Sequence, residues 1–214
     1  NYSADWSLAT DGRKPFRYQH AVGFTNSPEN DNFGYYVRLV PRFRINERIS
    51  ATLQIGYEQE NNNYGWIPGI LSDSAAIWFG RRDITTFNNI LTVRYIFSTK
   101  ASLSLRARHY WSQAKYLSVY TLQEDGSLAE APGVEYQDIN FNTITADLQF
   151  VWYFAPGSEI SVMWKNLINT FSTQPEDNYF RNLGNTLGAD QANSFSVRIL
   201  YYLDFLSLRK LKRG

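Results

Sequence analysis

Apolar and polar side chains alternate with a period of two along most of this chain, and that regularity limits it to β-structure. Over residues 143–154, Ile144, Ala146, Leu148, Phe150, Trp152 and Phe154 share one face, while Thr143, Thr145, Asp147, Gln149, Val151 and Tyr153 share the other. The pattern recurs over 2–10, 16–25, 33–45, 49–58, 87–97, 101–112, 160–167 and 194–205, which predicts nine strands. One face is greasy and the other mostly wet.

The connections alternate as well. Residues 11–14, 46–48, 98–100 and 155–158 are tight, two of them built on Asp11-Gly12 and Pro156-Gly157, where glycine supplies the positive φ that such turns need. Segments 61–76, 122–139 and 172–193 are long, polar and rich in Gly, Asn and Asp; only 26–31 is short on that side. Short turns on one rim and long loops on the other is the layout of an antiparallel transmembrane β-barrel. Acidic residues gather on the loop side (Glu29, Asp31, Asp73, Glu124, Asp125, Glu130, Glu135, Asp138, Glu176, Asp177, Asp190). Basic ones gather at the turns and tail (Arg13, Lys14, Arg48, Lys100, Arg209, Lys210, Lys212, Arg213). This polarity predicts loops at the cell surface and a basic periplasmic tail, 207–214, after a barrel portion spanning 1–206.

Composition removes most competing classes. No run approaches the roughly 18–20 apolar residues of a membrane helix, and the N-terminus shows no secretory-signal pattern. With 21 basic against 20 acidic residues there is no nucleic-acid footprint, and no cysteine and 2 histidines leave no thiolate site and little for a metal. A soluble lipocalin-like barrel would carry the same alternation with its apolar face inward. Against it, Trp6, Tyr57 and Trp111 recur towards the loop rim, and Phe43, Tyr95, Phe97, Trp152, Phe154 and Phe205 towards the turn rim, as in the aromatic girdles of membrane barrels.

The stretches IWFGRRDITTFNNILTVRYIFSTKASLSLRARHYW (77–111), FNTITADLQFVWYFAPGSEISVMWKN (141–166) and SFSVRILYYLDF (194–205) resemble the C-terminal barrel of a large Bacteroidota family known only as a domain of unknown function. The resemblance covers most of residues 16–206; FGR-D and W-x-x-x-PGS are its more specific elements. It implies a bacterial outer-membrane location. It also implies a preceding β-sandwich, similar to family 9 carbohydrate-binding modules, through which saccharides would be bound. No such sandwich lies within these residues, and the family supplies no catalytic residues. An odd count of nine strands would leave an unpaired edge in lipid, so the expectation is a portion of a larger barrel.

With the greasy face towards lipid and lipopolysaccharide, the interior is lined by Arg17, Arg38, Arg42, Arg44, Arg94, Arg106, Arg108, Lys165 and Arg198, against Asp5, Glu58, Asp147 and Asp204. Arg38, Arg42, Arg44, Arg94, Arg106, Arg108, Asp147 and Arg198 are the candidate lumen residues. They form either an internal ion-pair network filling the barrel, with Arg108 opposite Asp147, or a passage favouring small anionic solutes or saccharide fragments. The network is the leading expectation, and with it a structural or accessory role in an envelope complex alongside other outer-membrane or periplasmic subunits. No enzyme is expected: His20 and His109 fall on the lipid face near its rims, and no nucleophile–base pair is apparent. No cofactor or metal is expected; the acidic loop 122–139 offers oxygen ligands for calcium without a recognisable spacing, and reads as a solvated loop. Thr173 is the expected cap of a short helix whose Tyr179, Phe180 and Leu183 fold over the barrel mouth or meet a partner. Tyr201, Leu203 and Phe205 read as a terminal alternating strand.

Overall fold

A computed structural model describes residues 1–67 and 76–203. The predicted alternation becomes one antiparallel sheet of β1 (Tyr2–Ala9), β2 (Phe16–Ser27), β3 (Asn32–Arg44), β4 (Ile49–Ile67), β5 (Trp78–Ser98), β6 (Ala101–Leu122), β7 (Leu128–Glu130), β8 (Ile139–Ala155), β9 (Ser158–Ser172) and β10 (Gln191–Leu200). A helix, α1 (Tyr179–Leu187), interrupts the last loop. Strand order follows chain order, with short β7 attached to the free end of β6. Among the described residues the sheet does not close: β1 pairs only with β2, and β10 only with β9. No helix among them is long and apolar enough to cross a membrane.

Nine long strands match the predicted count; the tenth, β7, folds back within loop 122–139. Strands β4, β5 and β6 run well past their predicted ends, so loop 61–76 is strand as far as Ile67. Polarity alone misplaced these boundaries, because a backbone ladder continues through polar side chains as readily as through apolar ones. The extension carries its own small core of Ile67, Trp78 and Val119, packed by Tyr116, Ala131, Val134 and Tyr136. The FGR-D element builds this region. Asn62 adopts a left-handed φ of 54° at a bulge between Glu60 and Asn63, and Asp83 Oδ1 accepts its N–H at 2.9 Å. Gly80 leaves room for the Tyr116 ring, which a Cβ would meet at 2.5 Å.

The tight turns form where expected, by differing means. Gly157 takes φ 71°, whereas the Asp11-Gly12 turn is held instead by Asp11 Oδ1 accepting the Arg13 N–H at 3.0 Å. In the PGS element Ser158 Oγ accepts the N–H of Tyr202 at 2.9 Å, fixing the chain as it leaves β10. The predicted terminal strand therefore stops at Leu200: its partner β9 begins at Ser158, and Leu200 already faces Glu159. Asp73, Asp204, Phe205 and the basic tail lie outside the described residues.

Candidate functional site

Register converts the alternation into two continuous faces. On one, Trp6, Val22, Val37, Tyr57, Phe87 and Trp111 are directly opposed from β1 to β6. Ring contacts join Tyr35 to Tyr57 (5.9 Å), Tyr57 to Phe87 (4.9 Å) and Phe87 to Trp111 (5.0 Å, stacked). A second aromatic row lies near the turns, with Phe16–Phe43 at 5.1 Å, Tyr95–Phe97 at 4.5 Å and Trp152–Phe154 at 5.9 Å. Between the rows the face is aliphatic, as in Leu53, Leu91, Leu105 and Leu148. Ala101 and Trp111 are about 33 Å apart along β6. At a strand tilt of roughly 40° that is about 25 Å of height, the span of a membrane barrel's apolar band.

The opposite face carries the arginines. Arg17, Arg42, Thr52, Thr92, Arg106, Asp147 and Lys165 stand in one continuous row, and Arg44, Ser50, Arg94 and Ser104 in the next. Arg106, not Arg108, thus opposes Asp147; one bulge-free hairpin between β6 and β8 sets this register, which the loop length hid. Arg108 instead faces Thr145, donates from Nε to Asn88 Oδ1 at 3.1 Å and lies over the Tyr110 ring. The expected ion-pair network is absent among the described residues: on this face only Arg198 meets a carboxylate, that of Glu159, within ion-pair range. Asp5 accepts the Tyr36 hydroxyl across Gly23 at 2.7 Å. Gly56, without a side chain between Arg38 and Asn88, opens a recess of about 350 Å³ bordered by Arg38, Gln54, Glu58 and Thr86. Towards the loop ends of β8 and β9 this face turns aromatic, with Phe141 opposite Phe171.

A feature the sequence did not announce lies on the apolar face. Asn140 and Asn142, four and two residues before Ile144, continue its greasy side, and both are buried with Asn182 of α1. Asn182 Nδ2 donates to Asn142 Oδ1, while Asn140 and Asn142 both donate to Asn182 Oδ1 at 3.3 and 3.2 Å. Trp111 Nε1 donates to Asn140 Oδ1 at 2.8 Å. Tyr179 completes the seat: Asn89 Nδ2 donates to its hydroxyl at 2.8 Å, and that hydroxyl lies 3.0 Å from His109 Nδ1, whose Nε2 lies 3.3 Å from Asn142 Oδ1. Neutral His109 protonated on Nε2 satisfies this chain, with Tyr179 donating to Nδ1. Extending the parity of 143–154 backwards to residue 140 would have found the asparagines.

His109 therefore sits on the apolar face as expected, but buried beneath α1 rather than at a free rim. His20, between Leu8 and Leu39 in register and 4.6 Å from the Trp6 ring, lies within the apolar face. The helix starts later than predicted: Asn178, not Thr173, caps it, its side chain accepting the Arg181 N–H at 2.9 Å. It packs on the loop-side end of the apolar face, against Asn140, Asn142 and Phe87. In the acidic loop Asp125 accepts from Ser127 N–H and Oγ, which holds its carboxyl below the usual range, and Asp138 accepts the Tyr116 N–H at 2.7 Å. Those carboxylates build the loop itself, and among the described residues no group of three His, Asp or Glu has metal-holding geometry.

The whole pattern, from residue 1 to 212, matches the model of a family described as Domain of unknown function (DUF5916), and the chain belongs to that family. No curated protein matches. Among solved structures it is similar to the crystal structure of the P. putida toluene transporter TodX (TM-score 0.39, 8% identity, 90% of this chain and 62% of that one). It is also similar to the CymD monoaromatic hydrocarbon channel (TM-score 0.36, 10% identity, 93% of this chain and 64% of that one). The chain spans somewhat under two thirds of the length of either.

Proposed function

We propose that this sheet is wall of an outer-membrane β-barrel whose arginine face borders a water-filled interior, forming a passage that favours small anionic solutes. The observation that carries the reading is the near-absence of carboxylate partners on that face. Among the described residues Arg42, Arg44, Arg94 and Arg106 have none in ion-pair range, and an arginine is held without one where water or a passing anion solvates it. The apolar band with its two aromatic rows supports lipid on the opposite side. In lipid the outer edges of β1 and β10 must themselves be paired with strands, since unsatisfied backbone groups are costly there. The reading includes no catalytic step and no cofactor.

The test is single-channel recording of the full-length protein in planar bilayers. Anion-selective steps whose selectivity falls when Arg94 and Arg106 are changed to Gln support the passage. A silent bilayer with correctly inserted protein overturns it, and would favour a structural or accessory wall that presents a saccharide-binding domain.

A further inference from the structure

We infer that α1 is a lipid-facing anchor, lying along the outer surface of the wall with Phe180, Gly184 and Leu187 against acyl chains at the loop-side edge of the apolar band. This rests on the reading of the sheet as a membrane wall.

The helix is inside-out for a loop in water. A helix on a soluble surface buries its apolar stripe and exposes its polar one. Here the buried side chains are Asn182 (3% exposed) and Thr186 (1%), while Phe180 is 79% and Leu187 50% exposed. Phe180, Gly184 and Leu187, spaced four and three apart, make one outward stripe. The polar side is not wasted, because it is met by Asn140 and Asn142, so docking covers amides that would otherwise face hydrocarbon.

Its position fits the same occupant. Tyr179 lies 5.2 Å from Phe87 and 6.0 Å from Trp111, both in the loop-side aromatic row, so the helix is seated directly on that row. Between α1 and the sheet runs a groove of about 360 Å³ lined by Leu53, Ile55, Phe87 and Tyr179, with Asn89 tied to the Tyr179 hydroxyl. Apart from Asn89 its lining is apolar, which suits an acyl chain rather than a polar solute. Charged groups gather at the N-terminal end of the helix, as Lys115 with Asp177 (2.7 Å) and first-turn Arg181 with Glu176 (3.5 Å), where headgroups would lie and where the long Arg181 side chain can reach them.

Residues 1–214 contain no cysteine, so once any cysteine elsewhere in the full-length protein is replaced by Ser, single labels are unambiguous. A fluorophore is placed by Phe180→Cys, Leu187→Cys, Asn185→Cys or Leu148→Cys in the full-length protein. The protein is reconstituted in phosphatidylcholine–phosphatidylglycerol vesicles carrying nitroxide lipids labelled at shallow or deep positions. The expected result is shallow-nitroxide quenching at positions 180 and 187 several-fold above that at 185, with Leu148→Cys quenched best by the deep nitroxide. If Leu148→Cys is quenched but neither 180 nor 187 is, the anchor is wrong and the membrane wall stands. If none is quenched, the wall reading fails and the anchor with it.

Discussion

Changing Asn182 to Ala removes the amide on which α1 is seated and nothing else of size. Three hydrogen bonds to Asn140 and Asn142 are lost, all buried. Each is worth about 0.5–1.5 kcal/mol net. The asparagines left behind retain partners, since Asn140 still donates to the Gln174 carbonyl at 3.2 Å and Asn142 to Asn140 at 3.2 Å, so the full penalty of orphaned groups is not incurred. The loss is therefore about 2–3 kcal/mol, charged to docking of the helix rather than to the sheet, whose ladders do not involve residue 182. At 1.4 kcal/mol per factor of ten, amides of 182–187 should exchange roughly 30- to 150-fold faster, measured by hydrogen exchange with mass spectrometry on the protein in lipid nanodiscs. Protection in β5, β6 and β8 should be unchanged. Unaltered exchange in α1 would refute the reasoning, and equal loss throughout the sheet would show that the helix is part of the global fold.

Asp83→Ala should cost about 1–2 kcal/mol by leaving the Asn62 N–H without its acceptor at the β4 bulge, seen as a lowered unfolding midpoint in detergent and faster exchange near residue 62. Gly157→Ala forces a side chain into φ 71° and against Tyr202 Cβ at 2.9 Å, so destabilisation of about 1–2 kcal/mol is expected in the same assay. Asp177 is held below the usual carboxylate range by the hydrogen bond and charge of Lys115. A lowered folded pKa means that its contribution is complete above the unfolded value, near 3.9, and is lost as pH falls through the folded one. Exchange of segment 173–178 should therefore quicken only below about pH 4, and Lys115→Met should remove that dependence.

Much of the architecture was legible because one physical rule, the opposite facing of successive residues in a strand, wrote itself into Ile144 to Phe154 and its counterparts. Strand ends were less so. Residues 59–67 and 113–122 are polar at most positions, and their few buried apolar side chains, Ile67 and Val119 among them, are too sparse for alternation to carry a signal; pairing with β5 decides. The arginine face was readable by parity, but pairing across it was not. Arg106 opposite Asp147 depends on how loop 122–139 returns the chain, a matter of register rather than composition. The asparagine seat was hidden for a different reason: Asn140 and Asn142 resemble loop residues until a distant partner, Asn182, satisfies them.

The claim on which the rest depends is that the two faces meet different solvents, and β6 tests it most directly. Spin labels at single cysteines replacing Leu103, Ser104, Leu105, Arg106 and Ala107 in turn, in lipid bilayers, report collision with oxygen, which partitions into hydrocarbon, and with a water-soluble nickel chelate. The account predicts period-two accessibility, with oxygen favoured at 103, 105 and 107 and nickel at 104 and 106. The opposite phase, or nickel access at all five, would contradict it.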